Sequence, residues 1–388
     1  MNSFPANDIE SLTQVTPRYD LAESVGPNLR LHELLGGAAD AFADPALRDL
    51  ELGYGTAQGN AQLRGLVAQA YGVDPDDVLI TVGGMHALFL IAFALCGRDA
   101  EAVTTSPLFP LARNVLEAVE TNVRVLRLTF DDRYQPDVRR LGELLSQQTR
   151  LVSLASPQNP SGVAIRAHTL REILALMARK CPQAYLLIDE TYRDAAYGDD
   201  EIASSAVNLG PRVISTASLS KCHGAAGLRL GWAITPDTQL REQLVRGKFN
   251  TIISCSQVDE ALAIRVLQQR ERILDNRRRH LVEGLRRTEL WAQQNSTHVD
   301  WVRPDAGALC CVRLKESGFD TARVERFYSA LEDAGVRVAN GEWFGEESRV
   351  FRLGFGLLPM HELEAALELL SRVLGQTASG QDESRRVS

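Results

Sequence analysis

The sequence contains no long apolar run, no paired cysteines with metal-site spacing and no excess of basic residues. None of its apolar stretches approaches the ~18 residues that a membrane-spanning helix needs. The first residues, MNSFPANDIESLTQ, lack the basic region followed by an apolar block that marks a secretory signal, so we expect a cytoplasmic protein without a membrane partner. The formal net charge of -8 argues against a nucleic-acid-binding surface.

The six cysteines are scattered along the chain. Cys310 and Cys311 are adjacent, but they lie within an apolar segment and have no second pair at the spacing of a metal site. We interpret all six as reduced thiols of the core, which agrees with a cytoplasmic location. No metal site and no internal repeat are expected.

What the sequence does contain is typical of an ordinary globular protein, an enzyme or a binding protein, of two to three domain-sized units: 388 residues, 45% hydrophobic and 24% charged. Short apolar segments are predicted as strands at 78–82, 102–105, 123–129, 151–155, 184–188, 213–216 and 230–234. Helical segments separate most of them. This alternation predicts an α/β fold in which a mostly parallel sheet is covered by helices on both faces.

The pattern changes after residue 234. Residues 239–293 are charged and helical, and they predict a long helix that leads into a smaller α+β domain. That domain is predicted to have strands at 308–314 and 349–354 and helices at 321–334 and 359–374. The expected division is an N-terminal arm (1–45) that joins the small domain, a large domain (46–280), the small C-terminal domain (281–375) and a disordered tail (376–388).

The segment 215–232 places a hydroxyl, an amine and a guanidinium in one glycine-rich stretch, at Ser218, Lys221 and Arg229. A buried lysine loses its proton more easily, which is needed for reaction with an aldehyde. The arginine stays charged and fits phosphate oxygens. Pyridoxal 5'-phosphate (PLP) is an aldehyde that carries a phosphate and would use both groups. The alternative is a surface lysine and arginine in an ordinary glycine-rich loop.

Four predicted strands are each followed by a candidate side chain: Phe109, Asn159, Asp189 and Lys221. Because functional groups gather at the carboxyl edge of a parallel sheet, we expect these four to meet there. Asp189 ends an apolar strand, where a carboxylate is costly to bury without a cation such as a pyridinium nitrogen. Its alternative role is a helix cap.

Other candidates have equally open interpretations. The Gly83–Gly84 pair between a strand and a helix either presents backbone amides to a phosphate or is a plain turn. Tyr192 and Asn159 could donate hydrogen bonds to the phenolic oxygen of the cofactor, and Phe109 could stack on the cofactor ring. All three residues are also common in packing or turns. Arg352, in an apolar strand, binds a substrate carboxylate or forms a structural ion pair.

Taken together, these residues resemble the aspartate aminotransferase family of fold type I PLP enzymes. The resemblance covers nearly the whole chain, and its most specific part is S-L-S-K, with an arginine eight positions after the lysine. It is carried by Tyr54, Gly83, Gly84, Phe109, the N-P-S-G turn at 159–162, Asp189, Tyr192, Ser218, Lys221, Arg229 and Arg352. The resemblance implies a PLP-dependent transferase that forms a homodimer.

The resemblance also implies a role for each site residue. Lys221 forms the Schiff base with PLP and moves the proton, and Asp189 pairs with the ring nitrogen. Asn159 and Tyr192 bind the phenolic oxygen, Phe109 stacks on the ring, and Arg352, with Asn159 beside it, binds the substrate. The phosphate is held by Ser218, Arg229, the Gly83–Gly84 turn, the backbone of Met85 and Tyr54 of the partner subunit.

The sequence departs from the family in the phosphate loop and in the N-terminal arm. Met85 stands where family members often have Ser, Thr or Ala, His86 follows it, and the arm lacks the glycine-glutamate-proline signature. The expected reaction is transfer of an amino group from an L-amino acid to a 2-oxo acid such as 2-oxoglutarate. Two alternatives stay open: another PLP carbanion reaction (elimination, cyclisation or oxidation, as in natural-product biosynthesis) and a non-enzymatic PLP-sensing module.

Overall fold

The computed structural model describes residues 4–14, 16–35, 45–198, 202 and 204–379. Its strands are β1 Tyr19–Asp20, β2 Val78–Val82, β3 Glu101–Ser106, β4 Asn122–Arg127, β5 Thr149–Ala155, β6 Tyr185–Asp189, β7 Val213–Ser218, β8 Leu230–Ile234, β9 Val299–Val302, β10 Leu309–Leu314, β11 Val336–Arg337, β12 Ala339–Asn340 and β13 Val350–Gly354.

The α-helices alternate with these strands in the large domain and cover the small sheet in the C-terminal part. They are α1 Leu31–Leu34, α2 Pro45–Arg48, α3 Ala61–Tyr71, α4 Gly83–Leu95, α5 Pro110–Ala118, α6 Val138–Leu144, α7 Ala167–Lys180, α8 Thr238–Ile252, α9 Gln257–Gln268, α10 Arg270–Gln294, α11 Thr321–Asp333 and α12 Met360–Ser379. Among the described residues, none of these helices is both long and apolar enough to cross a membrane.

A seven-stranded sheet in the order β2-β8-β7-β6-β5-β3-β4 forms the centre of the large domain. Strand β8 is antiparallel to both of its neighbours, and the other neighbouring strands are parallel. The reason lies in the connections, since parallel neighbours need a long crossover whereas only residues 219–229 link β7 to β8. The prediction of a mostly parallel α/β sheet is confirmed.

Successive residues of the central strands point to opposite faces of this sheet. On β6, Leu186 and Ile188 pack with α6 and α7, whereas Leu187 packs on the other face with α4 and α5. A strand that is buried on both faces has to be apolar at every position. This explains the continuous apolar segments in the sequence, and it leaves the strand ends as the places for polar groups.

The smaller domain is built on an antiparallel sheet in the order β12-β13-β10-β9. Helices α11 and α12 cover it, with Phe327 and Leu370 in the shared core. The N-terminal arm joins this domain, because β1 pairs with β11 and Leu21 packs in the same core. Extra sheets therefore form a smaller domain beside the large one, as predicted.

Two helical segments differ most from the sequence prediction. The single helix predicted at 239–293 is three helices. The Ser256 side chain caps a new helix start after Ile253, which has a positive φ of 63°, and Gln269, with φ -104° and ψ 16°, separates the second helix from the third. Helix α12 continues to Ser379, so residues 376–379 of the predicted tail are helical. The rest of that tail lies outside the described residues.

Gly231 fixes the start of α4 against the sheet, and its replacement tests this packing. A Cβ at Gly231 would lie 2.7 Å from Ala217 O and from the backbone of Gly83 and Gly84. We expect Gly231→Ala to lower the free energy of unfolding by about 1–3 kcal/mol, because the added Cβ would displace packed backbone atoms and strain the structure. Denaturant unfolding measures this.

The matched control is Gly65→Ala in the middle of α3, where an added Cβ meets no atom within 4 Å. There alanine should stabilise the protein by about 0.5–1 kcal/mol because it restricts the unfolded chain more than glycine does. Equal effects of the two substitutions would contradict the packing described for Gly231.

Candidate active site

A cavity of about 310 Å³ opens at the carboxyl ends of β5, β6 and β7. The predicted site residues that line it are Gly84, Met85, Phe109, Asn159, Asp189, Tyr192, Ser218, Lys221, Arg229 and Arg352. Gly83 lies beside the cavity against Arg229. Tyr54 does not line it and is 85% exposed in the isolated chain. The sheet edge thus brings distant parts of the sequence together, as the ends of parallel strands require.

Lys221 follows β7 and points into the cavity, where its Nζ donates to Ser24 Oγ at 3.3 Å. Burial lowers the pKa of Lys221 to about 8, and the nearby charges of Arg352 and Arg229 lower it as well. The carboxylates of Glu23 and Asp189 act in the opposite direction. About a tenth of this amine is therefore uncharged at pH 7, far more than for an ordinary lysine, and able to attack an aldehyde.

Asp189 ends β6 with its carboxylate in the cavity wall. Its Oδ1 accepts hydrogen bonds from Thr191 N at 3.0 Å and Thr191 Oγ1 at 2.6 Å. Burial raises the pKa of Asp189, whereas the Thr191 hydrogen bonds and the charge of Lys221 lower it. Among the described residues, no cation forms an ion pair with this carboxylate, so it fits a protonated ring nitrogen.

Backbone amides and an arginine form an anion cradle at the start of α4. The first N–H groups of a helix have no acceptor within the helix, and those of α4 begin at Gly83, next to the Arg229 guanidinium. Arg229 Nη1 donates to Ala226 O at 3.1 Å, and no described carboxylate forms an ion pair with it. Ser218 lines the same cavity, and its Cβ would lie 4.0 Å from a Cβ added at Gly84. This set fits a phosphate group.

Arg352 lies on β13 with only 2% of its surface exposed. Its Nη1 donates to Asn159 Oδ1 at 2.8 Å, its Nη2 donates to Ala22 O, and its guanidinium lies over the Phe344 ring. The buried Nε has no hydrogen-bond partner among the described residues. Because no described carboxylate pairs with this cation, it is suited to bind the carboxylate of a substrate.

Tyr192 and Phe109 complete the walls of the cavity. The Tyr192 hydroxyl donates to Ser24 Oγ at 2.9 Å, and burial raises the pKa of Tyr192 to about 12, so it stays a proton donor at neutral pH. Phe109 lies immediately before α5. Ser24 therefore accepts hydrogen bonds from both Tyr192 and Lys221, and it joins the arm to the site.

Sequence reasoning missed the residues that the arm contributes. Ile9, Leu12, Glu23 and Ser24 line the cavity. Ser24 contacts Lys221, which lies 197 positions later in the sequence, and no sequence motif in the arm identifies this serine as a site residue. The one indication in the sequence was that the arm lacks the glycine-glutamate-proline signature. This absence indicated an unusual substrate pocket but did not identify any residue of it.

Two histidines near the motif residues lie outside the cavity lining. His223 is 1% exposed, and its Nε2 is 3.8 Å from Asp194 Oδ2. His86 Nδ1 accepts from Val82 N at 3.3 Å, and its Nε2 is 3.2 Å from Thr251 Oγ1. Burial lowers the pKa of both to about 4, so both stay neutral at physiological pH.

The chain belongs to the family described as aminotransferase class I and II, whose model matches residues 21–370. This confirms the resemblance to fold type I PLP-dependent aminotransferases, the class of enzyme and the cofactor PLP. The buried lysine, the unpaired Asp189 and Arg229, and the amides of α4 fit that cofactor.

The chain is similar to two curated proteins and one solved structure of PLP-dependent enzymes. Capreomycidine synthase from Streptomyces vinaceus is 31% identical over 97% of this chain and 96% of its own. Valine–pyruvate aminotransferase from Mycobacterium tuberculosis is 30% identical over 78% of each chain. The crystal structure of the PLP-dependent cyclase OrfR has a TM-score of 0.83 at 26% identity, covering 97% of this chain and 98% of its own.

The lowered pKa of Lys221 can be tested on the apoenzyme. We expect its reaction with an amine-modifying reagent to rise with pH around a midpoint of about 8, because only the uncharged amine reacts. Peptide mapping of the modified protein measures the fraction labelled at this residue.

Arg352→Met should shift this midpoint upward, because the substitution removes a cation that disfavours the protonated amine. A midpoint near the ordinary lysine value of about 10.4 in the unaltered enzyme would contradict the burial described here.

Proposed function

We propose that this enzyme transfers an amino group from an L-amino acid to a 2-oxo acid, with PLP attached to Lys221. The observation that supports this most directly is the cavity in which a buried amine, a carboxylate and an arginine without an acidic partner meet. Each of these groups answers one need of amino-acid chemistry: proton transfer, charge on the cofactor ring and binding of a carboxylate.

Arg352 binds the substrate carboxylate in this proposal. Its guanidinium offers parallel N–H groups, and Asn159, which accepts from Nη1 at 2.8 Å, orients it. Binding at this place brings the amino acid into the cavity that Lys221 also lines. The substrate is thereby held with its α carbon near the amine, which lowers the entropy cost of proton transfer.

Once the substrate amine had replaced Lys221 on the cofactor, the freed Nζ would remove the α proton and hold it. PLP, when bound, supplies a ring that stabilises negative charge on the α carbon. Asp189 favours a protonated ring nitrogen, since its carboxylate forms no ion pair with a cation of the described residues. Ser24 fixes the position of Nζ at 3.3 Å, and Tyr192 shares that serine. The atom to which Lys221 Nζ then delivers this proton decides which product forms.

Cyclisation of the amino acid is a second outcome that the comparisons favour. The relative that matches 97% of this chain is named a synthase, and a structural neighbour over 97% of the chain is named a cyclase. Lys221, Asp189 and Arg352 all act at the α carbon, which both reactions share. The second candidate therefore uses the same site and differs only in the fate of the carbanion.

We further propose that the enzyme is a cytoplasmic homodimer in which Tyr54 of the partner subunit reaches the phosphate. Tyr54 lies outside the cavity lining and is 85% exposed, as expected for a side chain that acts in another subunit. Leu52 beside it is 80% exposed, which supports a contact surface at this segment.

Mixing the holoenzyme with a panel of L-amino acids without an oxo acid separates the two outcomes. Transamination predicts that pyridoxamine phosphate accumulates to one equivalent per site and that turnover needs an added 2-oxo acid. Cyclisation predicts turnover without an oxo acid and a product that keeps the amino nitrogen. Absorbance and mass spectrometry measure both.

The attachment point is checked in the same preparation. Borohydride reduction should fix the cofactor on the peptide that contains Lys221, and Lys221→Arg should abolish turnover. A label on another lysine, or full turnover in that variant, would overturn the proposal.

Removing the carboxylate-binding group should weaken substrate use without removing the cofactor. We expect Arg352→Gln to lower kcat/KM for amino acids about 100-fold or more, mainly through KM, because a buried charged hydrogen-bonding group is lost. Steady-state kinetics measure the effect, and the cofactor spectrum reports whether PLP stays bound.

Arg349→Gln is the matched control, because Arg349 lies just before β13, pairs with Glu347 and does not line the cavity. Its kinetic constants should change less than about twofold. An unchanged KM in the Arg352→Gln variant would mean that the substrate carboxylate binds elsewhere.

A further inference from the structure

Glu23 places a carboxylate in the wall of the active-site cavity. It forms no hydrogen bond and no ion pair with any residue that the structure describes, although it is partly buried. Its charge acts on Lys221 and on Arg352, which line the same cavity. A carboxylate in this position needs a cation as its partner once the site is filled.

The backbone on either side of Glu23 is fixed. Gly354 N donates to Leu21 O at 2.7 Å, Ala22 O accepts from Arg352, and Ser24 accepts from Lys221. Gly354 leaves no room for a Cβ, which would lie 1.9 Å from Glu23 O. The backbone of Glu23 is therefore held beside Arg352 and Lys221, so its side chain starts from a fixed point in the cavity wall.

The other charges of the cavity are all matched when cofactor and substrate are present. A phosphate matches Arg229, a ring nitrogen matches Asp189, and the substrate carboxylate matches Arg352. Lys221 is uncharged when it acts as the base that removes the α proton. Glu23 is then the charged group of the described cavity lining that has no partner.

From this imbalance we propose that Glu23 selects amino acids whose side chain ends in a cation, a guanidinium or an ammonium group. This inference rests on the proposed function, because it takes the amino acid to bind through Arg352. The wall next to Glu23 supports it: Ile9 and Leu12, on the short 3-10 helix Asp8–Thr13, present aliphatic surface to the same cavity. An aliphatic chain with a charged end matches this wall and the carboxylate.

Binding of phosphopyridoxyl amino acids to the apoenzyme tests the proposal without catalysis. The probes are N-(5'-phosphopyridoxyl)-L-arginine and its citrulline counterpart, which has a side chain of the same length and no charge. We expect the arginine probe to bind about 10-fold more tightly or better, and Glu23→Gln to reduce this ratio to about one. Calorimetry or fluorescence titration measures the dissociation constants.

Glu33→Gln, an exposed carboxylate on the same arm, is the matched control and should keep the ratio of the unaltered enzyme. Equal binding of the two probes to the unaltered enzyme would overturn the role of Glu23 and leave the proposed function intact. A ratio that survives in Glu23→Gln would also overturn it. If neither probe binds the unaltered apoenzyme, the proposed function and this inference both fail.

Discussion

The burial of two cations, Lys221 and Arg352, in one cavity is the constraint on which the rest of the site depends. Moving charged groups out of water is expensive unless other groups compensate, and like charges close together add to the cost. The protein answers with Glu23 and Asp189 as opposite charges and with oxygen acceptors on neighbouring elements. The same balance leaves Lys221 with a pKa of about 8, so the compensation is only partial. Because the buried positive charges are only partly compensated, the amine of Lys221 stays reactive and Arg352 is able to pair with a carboxylate.

These compensating groups come from both domains and from the arm, so the site is also the place where the parts of the chain are joined. Arg352 belongs to the small sheet but donates to Asn159 after β5 of the large sheet. Ser24 of the arm accepts from Lys221 and Tyr192 of the large domain. A shift of the small domain would change the surroundings of the lysine and of the substrate-binding arginine together.

The sequence was sufficient to predict the groups that stand at strand ends. Asp189 and Lys221 follow buried strands, and the geometry of a parallel sheet brings such positions to one edge. The contributions of Glu23 and Ser24 could not be predicted, because the arm has almost no secondary structure and meets the site only through contacts across the whole chain. The first break in the predicted helix 239–293 was missed for a local reason, since Ser256 acts as a cap that competes with helical continuation.

The residues that could be predicted serve the part of the chemistry that all amino acids share. The residues that could not be predicted lie where the side chain, which differs between amino acids, would bind. In the proposed function Lys221, Asp189 and Arg352 serve the chemistry at the α carbon, which every amino acid has, and transamination and cyclisation both begin there. The residues that decide which amino acid enters, and what its side chain does next, must lie where the side chain lies. The arm contributes Ile9, Leu12 and Glu23 to the cavity lining. Family membership therefore indicates the chemistry at the α carbon, and the proposed role of Glu23 places the choice of side chain in the arm.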